Sequence, residues 1–213
     1  MDLESFNTSR ESLVPLLALN NKSNKNIIIF PTDKEAIEFS TDFSNLNKNI
    51  FHLPSWDTLS YDSFVPSFDI QGKRLEIAHL LLTNNNYNIA TSIKAISQRI
   101  YFEELEICKI ELNEEIDFDS LIENLIHLKY QRKDRVESKG SFAIRGGQLD
   151  VYPINYDLPL RVIFDGDLVN EIKTFDTISQ RSVSEKKDIL IVPATELFQI
   201  KHSDILNLSS DKK

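Results

Sequence analysis

The chain has 213 residues and a net charge of −9, with 41% hydrophobic and 27% charged residues. That is enough apolar material for one large domain or two small ones, and it argues against wholesale disorder. The acidic balance argues against a protein that coats nucleic acid non-specifically, because neutralising phosphates takes clustered Lys and Arg. A single cysteine, Cys108, permits no internal disulfide and points to a reducing compartment, with the thiol as a small buried apolar group. The acidic start Met1-Asp2-Leu3-Glu4 and the shortness of every apolar run argue against a signal peptide or a membrane span, so a cytoplasmic protein is expected.

Helix and strand signals alternate up to about residue 108. Ser9 or Ser12 can cap a helix through Leu13, Leu16, Leu17 and Leu19, which the Asn20–Asn26 cluster ends. Ile27-Ile28-Ile29-Phe30 is a continuous apolar run of the kind that forms a strand buried on both faces. A helix carrying Ala36, Ile37 and Phe39 follows, then a strand over Asn49–Leu53. Asp69 is placed to cap a helix with Leu75, Ala78, Leu81 and Leu82 on one side. Tyr87–Thr91 is a third strand, and Ile93, Ile96 and Ile100 put an apolar stripe on a further helix. Helices between short buried strands predict a parallel sheet with crossover connections.

Nine acidic residues stand between Glu103 and Glu123 against Lys109 alone, which reads as a solvated hinge and helix face at a domain boundary. Beyond a helix at Asp119–Leu128 the pattern changes. Phe142 and Ile144 alternate with Ala143 and Arg145, Gly146-Gly147 turns, and Leu149 and Val151 alternate with Asp150 and Tyr152. Leu160, Val162 and Phe164 continue the alternation, Asp165-Gly166-Asp167 turns again, Leu168–Phe175 returns, and Ile189–Val192 is a last apolar strand. The fold class expected is α/β: a parallel-sheet domain followed by an antiparallel α+β module. The boundaries expected are 1–110, 111–188 and a segment from 189 to 213.

Catalytic patterns are absent. No G-x-x-x-x-G-K-[ST] loop occurs, and Gly72-Lys73, the one Gly-Lys pair, is followed by Arg74 with Ser67 where the first glycine should stand. A phosphate cradle needs glycines that let backbone N–H groups wrap the anion, a Lys to neutralise it and a hydroxyl for Mg²⁺. His52, His79, His127 and His202 lack metal-ligand spacing, and no Gly-x-Ser-x-Gly elbow is present. Neither an enzyme nor a cofactor or metal is expected of this chain. One cluster stands out between Lys129 and Gly147: six basic residues (Lys129, Arg132, Lys133, Arg135, Lys139, Arg145) against Asp134 and Glu137, locally 6 − 2 = +4. Arg145 points opposite to Phe142 and Ile144, away from the core. The cluster is either a solvated strand face or a surface that docks acidic groups, since guanidinium pairs with carboxylates through two parallel hydrogen bonds.

The run from Trp56-Asp57-Thr58-Leu59 through Tyr61-Asp62, Phe64 and Pro66 to Asp69-Ile70 and Arg74 resembles the W-E-T-L-P-Y-D-x-F-x-P…D-I…R stretch of bacterial transcription-repair coupling factors (Mfd). Tyr130, Arg132, Gly140, Phe142, Arg145-Gly146, Leu149-Asp150 and Pro153 resemble the core of the UvrB interaction domain. Leu158-Pro159 with Arg161, Phe175-Asp176-Thr177 and Ser179-Gln180-Arg181 are again similar to the coupling factors, and Val192-Pro193-Ala194 to the strand leading back to the first domain. The resemblance runs in order over roughly residues 25–198. It implies a degenerate RecA-like domain 1a without a phosphate loop (1–110), a UvrA-binding domain 2 (111–188) and the truncated start of domain 1b (189–213). It also implies a non-catalytic adaptor of transcription-coupled nucleotide excision repair whose partner is UvrA. RNA polymerase and DNA would be reached only through other parts of a longer parent, an ATP-dependent translocase of which this chain would be a fragment, and no membrane is involved.

The residues that the resemblance assigns to UvrA are Arg132 and Asp134 of the Y-x-R-x-D motif and Arg145 and Gly146 of the F-R-V-R-G motif. Ala143 stands where the second motif has its first arginine, and Arg135 is the candidate to replace it. The alternative is a DNA-contacting fragment of a helicase-like ATPase whose motor lies elsewhere.

Overall fold

The computed structural model describes residues 25–45, 49–58, 65–84, 86–98 and 105–196. The helix expected before residue 20, Ile100 at the end of the isoleucine stripe, and the segment beyond 196 lie outside the described residues.

Three strands form the first sheet: β1 (Lys25–Phe30), β2 (Phe51–Leu53) and β3 (Tyr87–Ser92), all parallel, with β3 in the middle. Helix α1 (Asp33–Ser44) connects β1 to β2, and α2 (Phe68–Thr83) connects β2 to β3. Thr32 opens α1 with a reciprocal cap. Its hydroxyl accepts from the Glu35 N–H at 3.3 Å and donates to the Glu35 carboxylate at 2.8 Å. The two helices lie on opposite faces. Ala36, Phe39 and Phe43 of α1 pack with Phe30 and Ala90, whereas Ile77 of α2 packs with Leu53 and Ile89. Alternate residues along each strand therefore serve opposite cores.

Several sequence expectations are corrected here. β1 lies at one edge of the three-stranded sheet, and Ile29 is exposed, so the apolar run is not buried on both faces. Ile37 and Leu82 point to solvent; the buried stripe of α1 is spaced 36, 39, 43, and that of α2 runs over Gln71, Gly72, Arg74, Leu75, Ile77 and Ala78. Ser67, not Asp69, is the cap position of α2. The helix after β3 is one turn, α3 (Ile93–Ile96), and both isoleucines are exposed while Ala95 is buried.

From Cys108 onward the acidic stretch is folded and is not a hinge. Cys108–Glu111 forms β4, and Asp117 caps α4 (Phe118–His127) by accepting from the Ser120 N–H at 2.7 Å. Helix α4 ends without glycine. Lys129 takes the left-handed conformation at φ 70°, and the N–H groups of Lys129 and Tyr130 return to the carbonyls of Ile126 and Leu125, both at 3.0 Å.

Six strands then make the second sheet: β5 (Gln131–Arg132), β6 (Ser141–Arg145), β7 (Gln148–Tyr152), β8 (Leu160–Asp165), β9 (Leu168–Phe175) and β10 (Ser182–Glu185). They lie in chain order and antiparallel, except that β5 runs parallel to β6. The last strand, β11 (Asp188–Ile191), pairs with β4 in a separate ladder. Leu121 and Leu125 of α4, with Cys108, Ile110, Ile189 and Ile191, cover the face of the six-stranded sheet formed by Phe142, Leu149, Val151, Leu160 and Val162.

The two sheets are joined through α2. A Cβ on Gly72 would stand 2.4 Å from the Ile154 carbonyl oxygen, so only glycine lets the helix rest on that loop. Around it, Leu75 packs with Ile154 and Val192, and Lys139 pairs with Asp69. Buried Arg74 donates to both oxygens of Glu196 at 2.8 and 2.9 Å and to the Pro54 carbonyl at 2.8 Å. Trp56 Nε1 also donates to Glu196, at 2.8 Å.

Candidate functional site

The basic cluster is built on the edge of the second sheet formed by β5 and the β6–β7 hairpin. Arg132 ends β5 in register with Phe142, and the Lys133 N–H continues to the Phe142 carbonyl at 2.8 Å. The ladder thus fixes the backbone while the Arg132 side chain is exposed and makes no hydrogen bond or ion pair among the described residues. Arg145 ends β6 with its side chain exposed, as the alternation of Phe142 and Ile144 predicted. Its Nη2 donates to the Asp134 carbonyl at 3.2 Å, so Asp134 contributes its backbone oxygen and its carboxylate stays at the surface. Gly146 follows at φ 60°, at the open apex of the hairpin, where a Cβ would meet nothing within 4 Å.

Arg135 is differently employed. Its Nη2 donates to the carbonyls of Thr177 at 2.9 Å and Ile178 at 3.4 Å, in the loop between β9 and β10. Ala143 is buried with Val136 and Phe175 on the face of the sheet turned away from α4. The structure therefore brings Arg145, Asp134 and Arg135 together, with Arg132 beside them along the chain.

Beneath this surface lies an ion pair whose role the sequence does not reveal. Arg161 donates to Asp150 through Nε at 2.7 Å and Nη2 at 2.9 Å, a two-pronged contact across neighbouring strands in which Asp150 and Arg161 are register partners. The guanidinium lies over the Phe175 ring, 4.4 Å from its centroid, and reaches the Gln180 carbonyl at 3.3 Å. Asp150 is buried, and the pair satisfies it. Alternation alone makes Asp150 and Arg161 outward residues; only the register of β7 against β8 shows that they meet.

Elsewhere the chemistry is sparse. Gly72-Lys73 lies inside α2, so the pair opens no helix and presents no row of free backbone N–H groups. Among the described residues no group of three His, Cys, Asp or Glu is placed to hold a metal ion, and no helix is long and apolar enough to cross a membrane. Cys108 is buried, and burial pushes its thiol up to about 11, with the Glu114 carboxylate adding to the rise.

A largely antiparallel six-stranded sheet covered by one helix, with exposed arginines at one edge, is the class of structure that residues 108 to 196 define. Residues 108–197 match the family model of the UvrB interaction domain. Across most of its length the chain is similar to the transcription-repair-coupling factor of Escherichia coli (strain K12), 29% identical over 174 residues, 80% of this chain and 15% of that protein. It is similar as well to the coupling factor of Myxococcus xanthus, 31% identical over 158 residues, 72% of this chain and 13% of the relative. UvrABC system protein B of Thermosipho africanus is 24% identical over 190 residues, 81% of this chain and 28% of that protein. The chain thus spans a small part of the length of each of these relatives.

Proposed function

We propose that this chain is a non-catalytic adaptor module of transcription-coupled nucleotide excision repair that recruits UvrA through the arginine edge of its UvrB interaction domain. The observation that supports this reading is the set of Arg145, Asp134, Arg135 and Arg132 on one exposed edge of that domain, with Arg145 and Arg135 held by backbone carbonyls. Arginines fixed in this way present charge without losing further side-chain freedom on binding, and they select carboxylates on the partner. Contacts to RNA polymerase and DNA belong to parts of a longer parent. The chain itself needs no cofactor for this task.

Calorimetric titration with UvrA tests the reading. The unaltered chain binds, and Arg145→Glu or Arg132→Glu weakens binding by about 2–5 kcal/mol, the range for reversing a charge that pairs across an interface. Retained binding by both folded variants rejects the arginine edge as the docking site. A second reading, a DNA-contacting fragment of a helicase-like ATPase, is favoured only by the local excess of basic residues. It requires duplex affinity that falls steeply with salt, against a chain of net charge −9.

A further inference from the structure

Ile178 is 87% exposed, more than any other large apolar residue among those described. Apolar side chains scattered singly on a surface need no explanation; what distinguishes this one is the loop that carries it. The Asp176 carboxylate accepts from the N–H and hydroxyl of Ser179 at 2.7 and 2.8 Å. The loop closes through Asp176 N–H to the Arg181 carbonyl at 3.0 Å and Gln180 N–H to the Asp176 carbonyl at 2.9 Å. The Gln180 side chain donates to the Thr177 carbonyl at 2.7 Å, with Gln180 itself held at φ 60°. Arg161 grips the loop at the Gln180 carbonyl, and Arg135 grips it at Thr177 and Ile178. Two arginines from the sheet and its edge thus fasten a short loop whose tip is an exposed isoleucine.

We infer that Ile178 is the apolar anchor of the docking surface and that Arg135, besides the charge it presents, is a positioning residue that holds the anchor in place. This rests on the reading of the edge as a UvrA-docking surface. Interfaces draw most of their affinity from a few anchor residues that enter desolvated pockets, ringed by contacts that exclude water, and an aliphatic side chain can serve as such an anchor. A side chain presented on a preformed loop loses little entropy on binding. Ile178 has both the exposure and the fixed backbone, and Arg135 against the loop with the exposed Arg181 inside it supplies basic surroundings. The fitting partner surface is a shallow apolar pocket rimmed by carboxylates.

The test is binding of the full chain to UvrA by calorimetry, using Ile178→Asp, Ile178→Leu, Arg135→Met and Arg145→Glu. Ile178→Asp is expected to weaken binding at least tenfold with an unchanged melting temperature, and Ile178→Leu to keep it within about threefold. Arg135→Met is expected to weaken binding and to speed amide hydrogen exchange across residues 176–181, whereas Ile178→Asp leaves that exchange alone. If Ile178→Asp binds as tightly as the unaltered chain while Arg145→Glu does not bind, the anchor is rejected and the docking edge stands. If the unaltered chain does not bind UvrA, both fall. A concentration-dependent dimer of the chain that Ile178→Asp dissolves would assign the isoleucine to a contact between copies and overturn the proposal.

Discussion

Arg74 and Glu196, 122 positions apart in the chain, form one ion pair that is almost entirely shut off from water. Arg74 lies on the helix that joins two strands of the parallel sheet, and Glu196 follows the last strand of the interaction module. Around them Gln71 accepts the Glu196 N–H at 2.8 Å and the Thr195 hydroxyl at 3.0 Å, while its own amide donates to the Pro66 carbonyl at 2.7 Å. The Arg74 guanidinium also sits 5.3 Å from the centroid of the Trp56 ring. Four separate segments of the chain meet at this point.

Removing one partner strands a buried charge. Arg74→Ala is expected to destabilise the chain by about 3–5 kcal/mol, and the double change Arg74→Met with Glu196→Leu to recover most of that loss. Urea unfolding of the two variants decides the matter: equal destabilisation by the single and double changes would show that the packing of Arg74, and not its charge, is what counts.

Gly72→Ala sets two effects against each other. Alanine favours a helix interior by about 1 kcal/mol over glycine, but here its Cβ would stand 2.4 Å from the Ile154 carbonyl oxygen, a backbone atom. The clash prevails, and a net loss of about 1–3 kcal/mol is expected from overpacking. A rise in melting temperature would show that α2 and the 153–155 loop slide apart freely.

Burial holds the imidazoles of His52 and His79 below the ordinary histidine value; at His52 nearby Lys73 acts in the same direction and Asp33 against it. The unfolded chain therefore takes up these protons first, as the pH falls through about 6.5. The stability they confer is complete above that pH and is lost as the pH drops toward the depressed folded values. Denaturant midpoints should accordingly fall between pH 7.5 and pH 5.5. His52→Phe combined with His79→Gln should flatten the decline, and an unaltered slope would place its origin in other groups.

The Cys108 thiol, pushed up to about 11 and buried beside Ile110 and Ile191, should resist a thiol reagent at pH 8 until the chain unfolds. Labelling that keeps pace with a free thiol in native buffer would mean that the β4–β11 ladder opens readily.

Much of the second sheet was legible because its strands are half-buried. Phe142, Leu149, Val151, Leu160 and Val162 mark the inner face by simple alternation, and the glycine turns punctuate it. β4 escaped because it is a four-residue strand set among acidic residues, and it pairs with a segment 80 positions later. β10 escaped because all four of its residues are exposed, so no periodicity separates them from a loop. In the parallel-sheet half the sequence marks the apolar residues but not the side that each one faces. Ile37, Leu82, Ile93 and Ile96 are exposed, since a run of apolar residues on a helix does not say which of them meets the sheet.

The site was legible as a list of charges and not as a mechanism. Composition shows that Arg132, Arg135 and Arg145 crowd together. Only the folded chain shows that Arg145 rests on the Asp134 carbonyl and Arg135 on the 177–178 carbonyls. Asp150 and Arg161 needed the strand register before they became a pair.

The ladder between β4 and β11 places Cys108 opposite Ile191, so the chain enters and leaves the interaction module at the same spot. A unit whose two ends lie side by side can be spliced into a turn of an unrelated host without stretching either one. It can equally be lifted out and its flanks rejoined by a short bridge. Such a doorway makes the module portable, a cassette that can be seated on different bodies without disturbing its own sheet.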